Sequence, residues 1–169
     1  KQVVTGAKHI CVLMESGSVW CWGSAQYGQI GVDVSPATFA IEPTRVQNVP
    51  APSTSVIQLA SMANTVFALL SDDRVLAWGD NSKGQLGYDG GSSPAPQITP
   101  IEVLATRKDI ESFYASTFSD SIFLRTKQGD YYAWGDNEFG NLALGHSTTP
   151  ITTPTKTLEL GSEYLEPTA

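Results

Sequence analysis

The sequence predicts an all-β protein built from a repeated unit, and three observations carry that prediction. One phrase occurs three times: "VWCWGSAQYGQIG" (residues 19–31), "VLAWGDNSKGQLG" (75–87) and "YYAWGDNEFGNLA" (131–143). Its tryptophans, Trp22, Trp78 and Trp134, lie 56 residues apart each time, and a fixed period of that size marks a repeat architecture. A proline keeps step with them: Pro43, Pro100 and Pro154 follow their tryptophans by 21, 22 and 20 residues. The segments between these landmarks are short, rich in β-branched, aromatic and aliphatic residues, and weak in helical spacing. Reading the period as units gives boundaries of about 1–54, 55–109 and 110–160, with 161–169 as a tail.

In the first unit "AKHICVLM" and "SVWCWG" flank "ESG", a turn whose Gly suits the positive-φ position of a three-residue hairpin loop. Pairing around it sets Met14 opposite Ser18 and Cys11 opposite Cys21. One face then carries His9, Cys11, Leu13, Val19 and Cys21, the other Ile10, Val12, Met14, Trp20 and Trp22. Both faces are largely apolar, which predicts cover on both sides, as in stacked sheets. The second unit repeats the hairpin as "NTVFALL", "SDD", "RVLAWG". The third reads "DSIFLR", "TKQG", "DYYAWG", a turn one residue longer. "QVV", "VIQLA" and "IESFYA" precede the hairpins, and "TRV" and "IEV" follow the prolines. About four short strands per unit is the content of one β-propeller blade.

Gly28, Gly31, Gly84, Gly87 and Gly140 follow the Trp-Gly strand and read as tight turns with close backbone approach. A phosphate-cradling loop would need a helix N-terminus after it and usually a Lys, and neither pattern follows. Three copies of the phrase also speak for architecture, since chemistry needs one.

The 169 residues carry 17 acidic and 10 basic side chains, a formal charge of −7, and no basic stripe. Phosphate-backbone binding therefore has little to rest on, and no nucleic-acid partner is expected. No apolar run approaches the ~20 residues of a membrane helix, so no membrane insertion is expected. The chain starts at Lys1, which reads as a segment or a processed product.

"GAKHICVLMESGSVWCWGSAQYGQIG" resembles the repeat of the regulator of chromosome condensation family. That repeat runs Gly, a spaced His, Ala-Leu, Asp-Gly, Trp-Gly and Gly-Gln-Leu-Gly. The likeness extends over nearly the whole chain in three consecutive copies. It implies a β-propeller, commonly seven-bladed, with about fifty residues per repeat and blades often built across repeat boundaries. Three units would then form part of a ring, completed by further repeats or by self-association. There are departures. The His9 position falls at Asn64 or Thr65 and at Asp120 or Ser121, Asp73 replaces the turn Gly, and Ala143 stands where the last Gly is expected.

Cys11 and Cys21 are the only cysteines. Facing positions on a hairpin allow a cross-strand disulfide; two buried free thiols are the other reading. The facing placement favours the disulfide, which would imply an oxidising, extracytoplasmic setting. The corresponding pairs, Phe67 with Ala77 and about Ile122 with Ala133, mark a packing slot. The resemblance adds that bacterial surface and secreted versions of the repeat often carry Cys in both hairpin strands.

His9 and His146 are the only histidines. With no CxxC motif they form no zinc ligand set, and no cofactor is expected. No Ser lies in G-x-S-x-G, and no nucleophile, base and oxyanion site assembles, so the chain reads as non-enzymatic. His9, within the repeat motif, reads as a structural hydrogen-bonding residue. Trp22, Trp78 and Trp134, with Gly31 and Gly87, read as repeat core, and the tryptophans share one repeat position rather than forming a sugar platform. Trp78 should be covered on both sides, and Trp22 and Trp134 on one.

The loops after the Gly-Gln turn vary: "VDVSPATFAIE" (32–42), "YDGGSSPAPQIT" (88–99) and "GHSTTPITT" (145–153). Insertions in repeat proteins map to one face, often the binding face. Phe39, Tyr88, Asp89 and His146 are the candidate contacts for a protein partner. The expected function is a protein-interaction module of a bacterial secreted or cell-surface protein. Through the resemblance, nucleotide exchange on a small GTPase and inhibition of β-lactamase are the alternatives.

Overall fold

The structure is a computed structural model that describes residues 1–49, 54–88, 95–115 and 120–158. The expected tail, 161–169, lies outside them. Among the described residues there is no helix, and the strands form three four-stranded antiparallel sheets. Blade 1 holds β1 (Gln2–Thr5), β2 (His9–Leu13), β3 (Val19–Ser24) and β4 (Phe39–Arg45). Blade 2 holds β5 (Val56–Met62), β6 (Thr65–Leu70), β7 (Val75–Gly79) and β8 (Gln97–Val103). Blade 3 holds β9 (Ile110–Ala115), β10 (Ser121–Thr126), β11 (Tyr131–Gly135) and β12 (Ile151–Lys156). In each sheet the strands lie side by side in chain order.

The hairpin register follows the sequence reading, with Cys11 opposite Cys21 and the Met14 amide donating to the Ser18 carbonyl. The third turn is not longer than the others. Thr126 donates to Asp130 as Leu70 does to Arg74, because β10 runs on through Thr126. The same register corrects the third packing pair to Phe123 with Ala133, and places Thr65 and Ser121 at the His9 position. The outer strands start before their prolines. Pro43, Pro100 and Pro154 lie within β4, β8 and β12. Each of these is the sheet's outer edge strand, and the ladder shifts register beside the proline, where a missing amide costs nothing.

The blades stack face to face. Cys11, Leu13, Val19 and Cys21 of blade 1 pack on Val66, Ala68, Leu76 and Trp78 of blade 2. The opposite face of blade 2, with Phe67, Leu69, Val75 and Ala77, packs on Phe113, Ile122, Leu124 and Trp134 of blade 3. Phe67 stacks on Phe113 at 5.5 Å and meets Trp134 edge-on at 6.1 Å. Every residue of β6 is therefore buried. The expectation of two covered faces holds for blade 2 alone: on the face of blade 1 turned away from blade 2, Ile10, Val12, Trp20 and Trp22 are only half-buried.

Candidate functional site

The repeated Gly-Gln-(Ile/Leu)-Gly turn reaches forward into the next blade. A Cβ on Gly28 would lie 2.7 Å from Ile98 Cα, so only hydrogen fits against the start of β8. The Gln29 carbonyl accepts a hydrogen bond from Trp78 Nε1 at 3.1 Å, and the Gln29 amide nitrogen donates to Asn64 Oδ1 at 3.3 Å. Ile30 is fully buried in the core between blades 1 and 2. Gly31, at φ +71°, adopts a left-handed conformation, and a Cβ there would stand 3.0 Å from Trp78 Nε1. One blade further on, the Gln85 carbonyl accepts from Trp134 Nε1 at 2.7 Å, Gly84 abuts Thr152 of β12, and Gly87 faces Trp134.

Trp78 and Trp134 are thus each held by the blade before them. This corrects the expectation for the outer units. Trp134 is fully buried because blade 2 covers it, whereas Trp22 is half-buried.

A second forward contact lies on the inner strands. Gln2 Nε2 donates to the Leu59 carbonyl and its Oε1 accepts from the Leu59 amide, both at 2.8 Å. Gln58 repeats this on Phe113 at 2.9 and 3.0 Å. These clamps were missed in the sequence, although Gln2 and Gln58 are spaced by the same 56 residues as the tryptophans.

The forward turns draw neighbouring variable loops together. The loop between β3 and β4 and the start of β8 border a cleft of about 380 Å³, lined by Asp33, Pro36, Thr38, Pro96 and Ile98 among others. The Ser35 hydroxyl and amide hold the Asp33 carboxyl below the usual range, the amide at 2.9 Å. Phe39 opens β4 next to Thr38 of the cleft and is 59% exposed; Ile98, in the wall, is 43% exposed. Tyr88 is half-buried against the core between blades 2 and 3, which leaves it less free than Phe39. His146 is exposed, and its Nδ1 accepts from the Thr148 amide at 3.2 Å. Its carbonyl accepts from Asn137, so its loop is tied to blade 3 rather than to the cleft. Asp89 lies outside the described residues.

The end of the molecule that carries these loops is acidic: Asp33, Asp80, Asp120, Asp136 and Glu138 outnumber Lys8 and Lys83. Burial pushes the Asp120 carboxyl up from its ordinary value, with the charges of Asp80 and Asp136 adding to the shift. Among the described residues no group of three or more His, Cys, Asp or Glu could hold a metal ion. Cys11 and Cys21 are bonded to each other with a Cα separation of 4.2 Å.

The sequence profile of the regulator of chromosome condensation (RCC1) repeat matches residues 1–29 and 56–85. The chain is 28% identical over 151 residues to the E3 ubiquitin-protein ligase HERC2 of Homo sapiens, covering 89% of this chain and 3% of that protein. It is 28% identical over 166 residues to the ultraviolet-B receptor UVR8 of Arabidopsis thaliana, covering 96% of this chain and 35% of the receptor. Among solved structures it matches yeast RCC1 (Prp20), crystallised with Kap60, at TM-score 0.82 and 19% identity over 96% of this chain and 38% of that one. It matches human WBSCR16 at TM-score 0.75 and 22% identity, over 92% and 37%. The chain therefore spans only a small part, at most about a third, of the sequence relatives described. The turns and tryptophans that join its blades are the residues the repeat is known by: the chain carries matches to the RCC1 repeat at residues 1–29 and 56–85 and is folded as three consecutive four-stranded blades like those of the RCC1 β-propeller.

Proposed function

We propose that these blades serve as a protein-interaction module, and that the partner docks on the end formed by the loops after β3, β7 and β11. The observation that carries this reading is the cleft between the first two of those loops, with Phe39 and Ile98 exposed beside it. The framework beneath is repeated while the loops differ, which is how repeat proteins build a binding face. The acidic end suits a partner with basic side chains around an apolar patch, and an exposed aromatic is the usual anchor of such contacts. The Cys11–Cys21 bond supports an extracytoplasmic setting, secreted or on the cell surface, because such bonds persist where thiols are not kept reduced.

Photo-crosslinking tests the site. A photoreactive phenylalanine at position 39 should trap a defined protein in the source cells, while one at Ser16, on the opposite end, should not. Binding of that protein should weaken about tenfold or more in Phe39→Ala, the loss of an anchor contact. Equal trapping from both positions, or unchanged binding by Phe39→Ala, would reject the site.

Nucleotide exchange on a small GTPase is a second reading. It is favoured by the fold likeness to yeast Prp20, a protein solved in work on its binding to Gsp1p and histones. A nucleotide-release assay across small GTPases separates the two, since accelerated release supports exchange.

A further inference from the structure

The turn after the Trp-Gly strand carries one position that blade 1 does not share with its neighbours. Three residues after the tryptophan stand Ala25, Asn81 and Asn137. The two asparagines are fully buried, and their Oδ1 atoms accept from the amides of Leu86 and Leu142. Asn137 Nδ2 also donates to the carbonyls of His146 and Thr148, at 2.9 and 3.1 Å, which ties the loop after β11 onto its own blade. Ala25 has no side-chain amide to do this. The loop after β3 is held by backbone instead, through the Ala25 amide and the Thr38 carbonyl at 2.8 Å. Ala25 lines the cleft of about 380 Å³ that opens between this loop and β8.

The cleft has an apolar body and a single charge. Ala25 and Val34, which pack against the core between blades 1 and 2, line it together with Pro36, Pro96 and Ile98. Asp33 is the only charged residue of the lining. Its Oδ1 accepts from the Ser35 amide at 2.9 Å, so its own loop orients it, and among the described residues it forms no ion pair. A wholly apolar ligand would desolvate this carboxylate without pairing it, and an acidic one would be repelled. A basic side chain meets both demands, because its methylene stem lies along apolar walls while its charged head reaches a carboxylate at the rim.

We infer that the cleft receives a lysine or arginine side chain from an exposed segment of the partner protein, with the stem against Val34, Pro36 and Ile98 and the cationic head at Asp33. This rests on the docking end proposed above and specifies what enters it. The formal charge of −7 and the carboxylates gathered at the same end draw such a segment in. The alanine at position 25 is a departure from the other two blades, so the site belongs to what is particular to blade 1 and not to the repeated framework.

Proton–nitrogen correlation spectra of the labelled chain test this, with blocked Gly-Arg-Gly and Gly-Lys-Gly peptides as probes. A Gly-citrulline-Gly peptide keeps the shape of arginine without its charge. The amide signals of Asp33, Ser35, Thr38 and Ile98 should shift with the arginine and lysine peptides, and the citrulline peptide should bind about fivefold more weakly, the worth of one exposed ion pair. Asp33→Asn should weaken the arginine peptide by a similar factor and leave the citrulline peptide unchanged. Ala25→Asn, which installs the residue of blades 2 and 3, should abolish the shifts. Signal dispersion verifies that each variant is folded, and Asp33→Asn, at an exposed position, carries the test should Ala25→Asn fail to fold. Equal binding of the arginine and citrulline peptides, shifts confined to residues outside the cleft, or unchanged binding by Asp33→Asn would overturn the inference. Failure of the peptides while position 39 still traps a protein would overturn it alone and leave the docking end standing. Peptide binding in the cleft without such trapping would support it and count against Phe39 as the anchor.

Discussion

A Cβ on Gly6 would lie 1.9 Å from His9 Cε1, so the histidine ring occupies the space that the glycine leaves. His9 in turn spans the seam: its Nε2 is 3.0 Å from Ser61 Oγ of blade 2. In sequence the second unit carries Met62 and Thr65 at these positions, and the third Phe118 and Ser121, so glycine and histidine are absent together. Thr65 and Ser121 instead donate to carbonyls of their own blades, Asp80 and Asp136. That His9 is structural was legible from its place in the repeat; that it crosses between blades was not, because the residue it meets lies 52 positions away.

Burial lowers the His9 pKa from 6.5 to about 4. The unfolded chain therefore takes up a proton between those values that the folded chain refuses. The stabilisation is fully present above pH 6.5 and is lost as pH falls towards 4, at about 1.4 kcal/mol per pH unit inside the window. Urea denaturation at pH 7 and pH 4.5 should show this loss, on the order of 3 kcal/mol in all. In His9→Thr, the residue blade 2 uses, the loss over the same interval should shrink by most of that amount. Equal losses in the two proteins would mean that His9 is not the group responsible. Asp120, whose carboxyl is raised by burial, acts in the opposite sense and is common to both.

At the scale of elements, β2 and β3 show what a hairpin register can and cannot reveal. The turn "ESG" fixes the pairing, and pairing alone sets Cys11 opposite Cys21. The packing slot was legible in the second unit, where Phe67–Ala77 fills it with a large and a small side chain; in the third it was read one residue off, as Ile122 with Ala133, where the register sets Phe123 opposite Ala133. The outer strands were less legible. A proline reads as a boundary in sequence, and only the sheet shows that Pro43, Pro100 and Pro154 lie beside register shifts on an edge where no donor is needed. Intact-mass analysis after alkylation under denaturing conditions without reductant should find both cysteines unlabelled. Reduction should lower stability by at most about 3 kcal/mol, since the bond closes a short loop. Full labelling of both thiols would remove the support for an oxidising compartment.

Across the whole molecule the repeat is polar: blades 1 and 2 each grip the next with an inner-strand glutamine and a turn whose carbonyl holds a tryptophan. The period of 56 residues and the four-strand content were enough to read the fold class from the sequence. The direction of grip was not readable, because a repeated motif does not say whether it binds its own blade or a neighbour. Reading Trp22 and Trp134 as equivalent ends follows from that ambiguity, and the structure separates them: Trp134 is sealed by Leu69, Val75 and Gly87 of blade 2, whereas Trp22 is only half-buried. Variation in the loops was visible in sequence, but the cleft they form with β8 depends on Gly28 lying against Ile98, a contact across 70 residues.

Directional gripping is tested most directly by denaturing Trp22→Ala, Trp78→Ala and Trp134→Ala side by side. Trp78→Ala and Trp134→Ala should each cost about 3–5 kcal/mol, the loss of a fully buried aromatic, and Trp22→Ala well under half as much. Equal costs at Trp22 and Trp78, or a small cost at Trp134, would contradict a grip that runs from each blade to the one after it.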